Sequence, residues 1–264
     1  MKRRFALCSS NYRLNLDIVK ADVSSIPCDI ILNCSNKGLS GSTNLTAYWM
    51  FAGRKNVDTS IHNLAGPQLQ LDCNSIVFKN ATRSNNDAGR YVKCDVGEVW
   101  ITCSSGQLQS KFVAHTVSPR YYDVSDDQCL TLLYDSYSSV FLASFILQSQ
   151  TICIPALGCG ISEVPPPISA AAFMKALSDI AHMGTPSQPR AHREASYSSY
   201  KDGKLCFDSK SSLLIPERES QSLGNNIHPP YLKRIVCCML ESKTFWAWVK
   251  AAESSSFLKA VEGE

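Results

Sequence analysis

Long apolar runs are missing from this sequence of 264 residues. No stretch is apolar for long enough to read as a bilayer span. The start, MKRRFALCSSNYRLNLD, is basic but has neither an apolar core nor a cleavage site, so it does not read as a secretory signal. Lys2-Arg3-Arg4 reads as a solvated end, the other reading being part of a nuclear address. Charge is sparse as well, at 19% of residues with a net +3, too mild an excess to argue for general nucleic-acid binding. Cysteine is plentiful at twelve, but its pairings are absent. There is no CxxC and no matched Cys/His spacing, which argues against a zinc site and leaves no metal or cofactor expected. Cys28, Cys34, Cys103, Cys153, Cys237 and Cys238 lie in or beside apolar runs, where a free thiol acts as a small hydrophobe. Reduced thiols without a secretory signal imply an intracellular chain, cytoplasmic and/or nuclear. The sequons at Asn44 and Asn80 then carry no weight. Neither GxGxxG nor a P-loop GxxxxGK[ST] occurs, and no internal repeat is visible.

What is present is a core-forming chain, 44% hydrophobic, of a length that suits one domain with insertions over 1–264. Strands are predicted at Leu14–Val19, Asp29–Asn33, Val99–Thr102, Phe112–Val117, Thr151–Leu157 and Arg234–Leu240. Between or after them come apolar residues at helical spacing. One set is Val57, Ile61, Leu64, Ala65 and Leu69. A second is Leu130, Leu133, Tyr134, Tyr137, Phe141 and Phe145. A third is Ile168, Ala171, Ala172, Ala176 and Ile180. A last amphipathic stretch runs from Ser242 through Phe245, Trp246 and Val249 to Leu258. Alternating strands and helices, with several strands apolar on both faces, predict a three-layer α/β/α domain around a mixed, mostly parallel sheet. Two stretches interrupt the rhythm. Residues 40–56 insert extra chain with room for a short helix at Leu45–Phe51. Residues 184–230 form a polar, Ser-, Pro- and Arg-rich insertion whose short apolar patches are Leu205–Phe207 and Leu213–Ile215.

The stretch IPALGCGISEVP follows the strand at Thr151–Leu157. Two glycines at a strand end serve either a tight turn or a backbone cradle for an anion. The order of segments favours the second. A strand ends in Ala21-Asp22-Val23. The next reads DIILNCSN from Asp29 to Asn36. A helix opens VDTSIHNLAG at Val57. Then come GEVWIT from Gly97, FVAHTVSP from Phe112, and PALGCGI from Pro155. This ordered set resembles the macrodomain family, the ADP-ribose-binding α/β/α module, from about Leu14 to Ile180 and again over Leu232–Ala251.

The resemblance implies that Gly158, Cys159, Gly160, Ile161 and Ser162 cradle the ligand's diphosphate with backbone N–H groups. It implies that Asp22 accepts a hydrogen bond from the adenine amino group and that Val23 offers its N–H to the adenine edge. Asn36 matches the asparagine that faces the distal ribose, and Asn33 an asparagine that braces the loop from within. Val57 and Asp58 match the start of the helix beside that ribose, Asp58 being the aspartate that activates water or substrate in hydrolytic members. Read without the family, Asp22 is a turn former at a strand end and Asp58 a helix cap or first-turn acid. His62 and His115 read as packing residues and Trp100 as core.

Departures from the family pattern fall on the ligand loops. Gly53-Arg54-Lys55-Asn56 stands where the family has a glycine run, and Thr59 where it has glycine. Ser162 stands where the family has an aromatic, and Glu163 adds a negative charge beside the expected diphosphate. The expectation is a module that binds ADP-ribose or ADP-ribosylated protein with reduced affinity. One alternative is a mono-ADP-ribosyl-protein hydrolase using Asn36 and Asp58. Another is a ligand-free scaffold whose 184–230 segment contacts a protein partner. Neither a membrane nor nucleic acid is indicated as a partner.

Overall fold

The computed structural model describes residues 1–9, 12–41, 56–76, 92–183, 205–207 and 232–261. Most of both insertions, with the helix expected at Leu45–Phe51 and the patch at Leu213–Ile215, lies outside them. Nine strands form one sheet among the described residues. They are β1 (Lys2–Ser9), β2 (Tyr12–Lys20), β3 (Ile30–Ser35), β4 (Val99–Cys103), β5 (Phe112–Val117), β6 (Thr151–Pro155), β7 (Leu205–Phe207), β8 (Arg234–Met239) and β9 (Leu258–Val261). Their order is β7-β4-β5-β3-β6-β8-β2-β1-β9. The five central strands, β5, β3, β6, β8 and β2, pair in parallel, while β4 and β7 on one flank and β1 and β9 on the other pair antiparallel. The sheet is therefore mixed and mostly parallel at its centre, in line with the strand–helix alternation of the sequence.

Strand alternation sorts the sheet into two buried faces. Ile30, Leu32, Ala114, Ile152, Ile154, Ile235 and Cys237 face one cluster, which also takes in α3 (Asp126–Ile146), α4 (Pro166–Met183) and α5 (Ser242–Glu253). Their neighbours Ile31, Val113, Cys153, Val236 and Cys238 face the other, against α1 (Val57–Ala65) and α2 (Pro67–Asn74). The larger core is aromatic at its centre, with Phe173 4.9 Å from Trp248 and 5.4 Å from Tyr137 between ring centroids. α3 begins at a full capping box, Ser125 and Gln128 bonding each other's backbone, with Asp126 and Asp127 at the positive end of the helix dipole. By length and composition α3 is apolar enough to cross a membrane, which corrects the run-by-run reading of the sequence. Here 56% of that stretch is buried, and packing between the sheet and α4 accounts for its composition.

Three boundaries differ from the expectation. The single helix foreseen from Val57 to Leu69 is two helices, because Gly66 at φ 70° caps the first and Pro67 opens the second. The last helix stops at Glu253 rather than running to Leu258. There Ser255 bonds back to the Ala252 carbonyl through both its N–H and its hydroxyl, the competition by which serines end helices. Leu258 then begins a strand. The basic start is also a strand, β1, with Phe5 and Leu7 buried beneath its charges.

Candidate functional site

All five parallel strands run to one edge of the sheet, and the loops that leave their carboxyl ends carry the residues singled out in the sequence. Such a crevice is where open parallel sheets place ligands.

The loop after β6 is built from beneath. Tyr137 on α3 and Ser169 on α4 form a closed ring of hydrogen bonds with Leu157. The Leu157 N–H donates to the Tyr137 hydroxyl at 3.0 Å, that hydroxyl lies 3.0 Å from Ser169 Oγ, and Ser169 Oγ donates to the Leu157 carbonyl at 2.8 Å. All three residues are buried, so the ring fixes where the loop starts. Gly158 follows at φ 76°, and a Cβ there would lie 2.5 Å from the Val164 side chain, so only glycine fits. The turn closes through Val164 N–H to the Gly158 carbonyl and Glu163 N–H to the Gly160 carbonyl. Gly160 is exposed, and a Cβ on it would meet nothing within 4 Å. Among the described residues, no protein acceptor takes the N–H groups of Gly160, Ile161 and Ser162. Three successive free donors on a glycine loop are the groups an anion nest would use.

The wall beside this nest comes from the loop after β5. The Tyr121 N–H donates to the Ser162 carbonyl at 2.9 Å, and Tyr122, 80% exposed, packs edge-on against Tyr121. Aromatic surface thus reaches the glycine loop from a neighbouring strand end, although position 162 itself is serine. Below, Cys34 Sγ and Ser118 Oγ are 3.0 Å apart, and burial raises the Cys34 thiol. Burial also pushes Cys159 up to about 12. Both thiols stay protonated near neutral pH and are poor nucleophiles.

Asp22 ends β2. Its Oδ1 caps a turn of 3₁₀ helix, Val23–Ser25, by accepting from the Ser24 N–H at 3.0 Å and the Ser24 hydroxyl at 2.8 Å. Its Oδ2 accepts from Ser60 on α1 at 3.1 Å. Asp22 remains partly exposed, and a carboxylate has lone pairs beyond these three bonds. Val23 is buried, and its N–H has no protein acceptor among the described residues.

Asn36 and Asn33 divide the work differently from the expectation. Asn36 is exposed and its side chain organises its own loop. Oδ1 accepts from the Gly38 and Ser40 N–H groups, and Nδ2 donates to the Ser40 carbonyl. The amide brought to Asp58 is that of Asn33, wholly buried, with Nδ2 2.8 Å from Asp58 Oδ1 and 3.3 Å from His115 Nδ1. Strand period contains the signal: Asn33 alternates with Leu32 and so faces α1. The helix cap is Asn56, which accepts from the Thr59 N–H at 2.7 Å, so Asp58 is not needed for capping. Asp58 is buried in the first turn, with His62 Nε2 3.5 Å away, too far for a well-formed hydrogen bond. Val57, half-buried, packs against the cluster that holds Val23 and Ile61. The network ends at His115, whose Nε2 lies 3.0 Å from Thr102 Oγ1. Burial, together with the nearby His62, lowers His115 to about 3, so it is neutral, with Nδ1 accepting from Asn33 and Nε2 donating to Thr102. Asn33 Oδ1, also buried, has no hydrogen-bond partner among the described residues. Arg54 and Lys55 fall outside the described residues, as does the glycine-poor loop they belong to.

The family model described as Macro domain matches residues 33–173. A Thermoplasma volcanium protein of uncharacterized description is 29% identical over 174 residues, 66% of this chain and 81% of its own. The O-acetyl-ADP-ribose deacetylase of Escherichia fergusonii is 26% identical over 166 residues, covering 62% and 78%. Among solved structures, the Oceanobacillus iheyensis macrodomain with ADP superposes with a TM-score of 0.61 at 17% identity, over 96% of each chain. The Trypanosoma brucei macrodomain in complex with ADP-ribose gives 0.53 at 15% identity, over 89% of this chain and 68% of its own. At these identities the structural likeness shows the fold.

Proposed function

The chain belongs to the macro domain family, and on that premise we propose that it binds ADP-ribose, free or attached to protein, in the crevice at the carboxyl ends of its parallel strands. The observation that carries this reading is the set of free N–H groups at Gly160, Ile161 and Ser162 on a loop anchored by Tyr137 and Ser169. A diphosphate is the anion such a nest suits. The Val23 N–H and the remaining lone pairs of Asp22 supply a donor and an acceptor at the far side of the crevice, the pair an adenine edge requires. Structures of relatives carrying ADP or ADP-ribose support the same ligand class. Two features favour reduced affinity. Asp22 already serves Ser24 and Ser60, and Glu163, exposed at φ 56°, brings negative charge onto the nest's own turn. Calorimetric titration with ADP-ribose, with AMP as control, tests the reading. Binding that needs the diphosphate supports it, and equal affinity for AMP sinks it.

One observation favours a second reading, hydrolysis of an ester or protein linkage on ADP-ribose. Asp58 is free of capping duty and is held instead by Asn33, whose own Oδ1 lacks a partner among the described residues. Relatives described as O-acetyl-ADP-ribose deacetylases support that chemistry. Release of ADP-ribose from a mono-ADP-ribosylated protein, lost in Asp58→Ala, selects this reading. Binding without release leaves the module a reader.

A further inference from the structure

The net charge of +3 conceals a concentration of positive charge on the sheet flank formed by β1, β2, β8 and β9. Phe5, Leu7, Leu14, Leu16, Ile18, Ile235 and Leu258 all point into the larger core. Their alternating neighbours on β1, β2, β8 and β9 therefore share the opposite face. The strand register sets them in rows. Lys259, Ala6, Asn15 and Arg234 line up across four strands, Arg4 pairs with Asp17 in the next row, Lys2 lies opposite Val19, and Arg13 lies opposite Cys8. Five cations and one carboxylate occupy this face. Lys2, Arg4, Arg13 and Lys259 are exposed and Arg234 is partly so. Asp17 is wholly buried, clamped by Arg4 at 2.7 Å, Arg234 at 2.8 Å and Lys2 at 3.5 Å. Burial raises its carboxyl, but the two arginines outweigh that and hold it below the ordinary carboxylate range. One aspartate cannot neutralise five cations, and no ion pair engages Arg13 or Lys259 among the described residues. At ordinary strand and residue spacings the patch measures about 14 Å by about 20 Å.

We propose that this sheet face binds the phosphate backbone of a nucleic-acid duplex, without reading sequence. By register the uncharged positions on the face are Ala6, Cys8, Asn15, Val19 and Val261, with Val236 and Cys238 inside the smaller core cluster. With no aromatic among them, the face has no platform for stacking unpaired bases and no anchor of the kind that dominates protein–protein interfaces. Charge alone must supply the affinity. Exposed pairs with peptide carboxylates yield almost nothing, whereas a duplex releases condensed counterions as its phosphates are neutralised. Arginine side chains also match phosphate oxygens in a bidentate fork.

The test is fluorescence anisotropy with two labelled DNA duplexes of unrelated sequence, each about 20 base pairs. About three neutralised phosphates predict a slope of log K against log salt near −2.7, and on the order of a 40-fold loss from 50 to 200 mM salt. Both duplexes bind alike, saturating ADP-ribose leaves the affinity unchanged, and Arg13→Glu/Lys259→Glu abolishes binding while keeping the wild-type melting temperature. Those two residues are chosen because neither holds Asp17. If the double reversal melts early, Arg13→Gln/Lys259→Gln must still flatten the slope by nearly two phosphates. No binding at 50 mM salt, binding untouched by both double variants, or displacement by ADP-ribose each overturns the proposal. So does equal competition by polyglutamate, which would assign the face to acidic protein. Failure of the crevice to bind ADP-ribose has no bearing on these readouts.

Discussion

Asp22→Ala is expected to damage the protein in two measurable ways at once. Its carboxylate caps the turn at Val23–Ser25 through Ser24 and ties that turn to α1 through Ser60. Losing a cap costs about 0.5–2 kcal/mol, and the bond to Ser60 adds about 1 kcal/mol. A total near 2 kcal/mol lowers the melting temperature by about 4–8 °C in a chain of this size. Binding suffers separately. Losing an acceptor for the adenine amino group costs about 1–3 kcal/mol, or roughly five- to 150-fold in Kd. Asp22→Asn separates the two effects. Asparagine caps as well as aspartate, and its amide N–H2 can donate to the Ser60 hydroxyl. The melting temperature therefore stays within about 2 °C of wild type, yet a donor now meets the adenine's donor. The assays are differential scanning fluorimetry and calorimetric titration with ADP-ribose well below the melting transition. An Asp22→Ala protein that melts as wild type refutes the capping role, and an Asp22→Asn protein that binds as wild type refutes the adenine role.

The two loop glycines should respond in opposite ways: Gly160→Val keeps stability but loses ADP-ribose, because its side chain enters open space at the nest, whereas Gly158→Ala loses stability through its positive φ and the 2.5 Å approach to Val164. Thermal melts and titrations on the pair would count against the nest if Gly160→Val bound normally. Acidification should weaken the fold through His115, whose folded pKa of about 3 lies below the ordinary value of 6.5. Between those limits the unfolded chain takes a proton that the native one refuses, so stability is full above pH 6.5 and falls by up to about 1.4 kcal/mol per pH unit below it. Urea midpoints that stay flat from pH 7 to 4.5 would show that the imidazole is not buried neutral.

The fold was legible because its central strands are apolar on both faces and the segments between them repeat apolar residues at helical spacing. Runs such as Ile30–Leu32 and Ile152–Ile154 need two covering layers, and the structure provides them. The flanking strands were less legible for a physical reason. β1 buries only alternate residues, so Phe5 and Leu7 are separated by single positions and diluted by arginine. β7 is three residues long and draws its register from β4, a partner more than a hundred residues earlier. At the site, the glycine loop and Asp22 were visible as chain order. The Asn33–Asp58–His115–Thr102 network was not, because it joins three strands and a helix that lie far apart in sequence. Only strand period pointed there, by turning Asn33 toward α1.

That network is built apart from the glycine loop proposed to hold the ligand. The nest at Gly160–Ser162 hangs from α3 and α4 through Tyr137, Ser169 and Leu157, on the larger-core side of the sheet. Asp58 hangs from β3 through Asn33 and belongs to the α1 side. The hydrogen bonds that hold the loop and those that hold Asp58 share no residue. A substitution in the nest should therefore remove diphosphate binding and leave the Asp58 environment intact. Replacing Asp58 should leave the nest able to bind. The buried position of Asp58 gives it a further distinction from a surface acid. A first-turn aspartate that only complements a helix dipole can do so at the surface and needs no asparagine beneath it. Burying a carboxylate against an amide instead carries a desolvation cost, which capping does not require, since Asn56 already caps the helix. The arrangement makes sense if Asp58 serves a ligand at the crevice, and binding and turnover can then fail independently of each other.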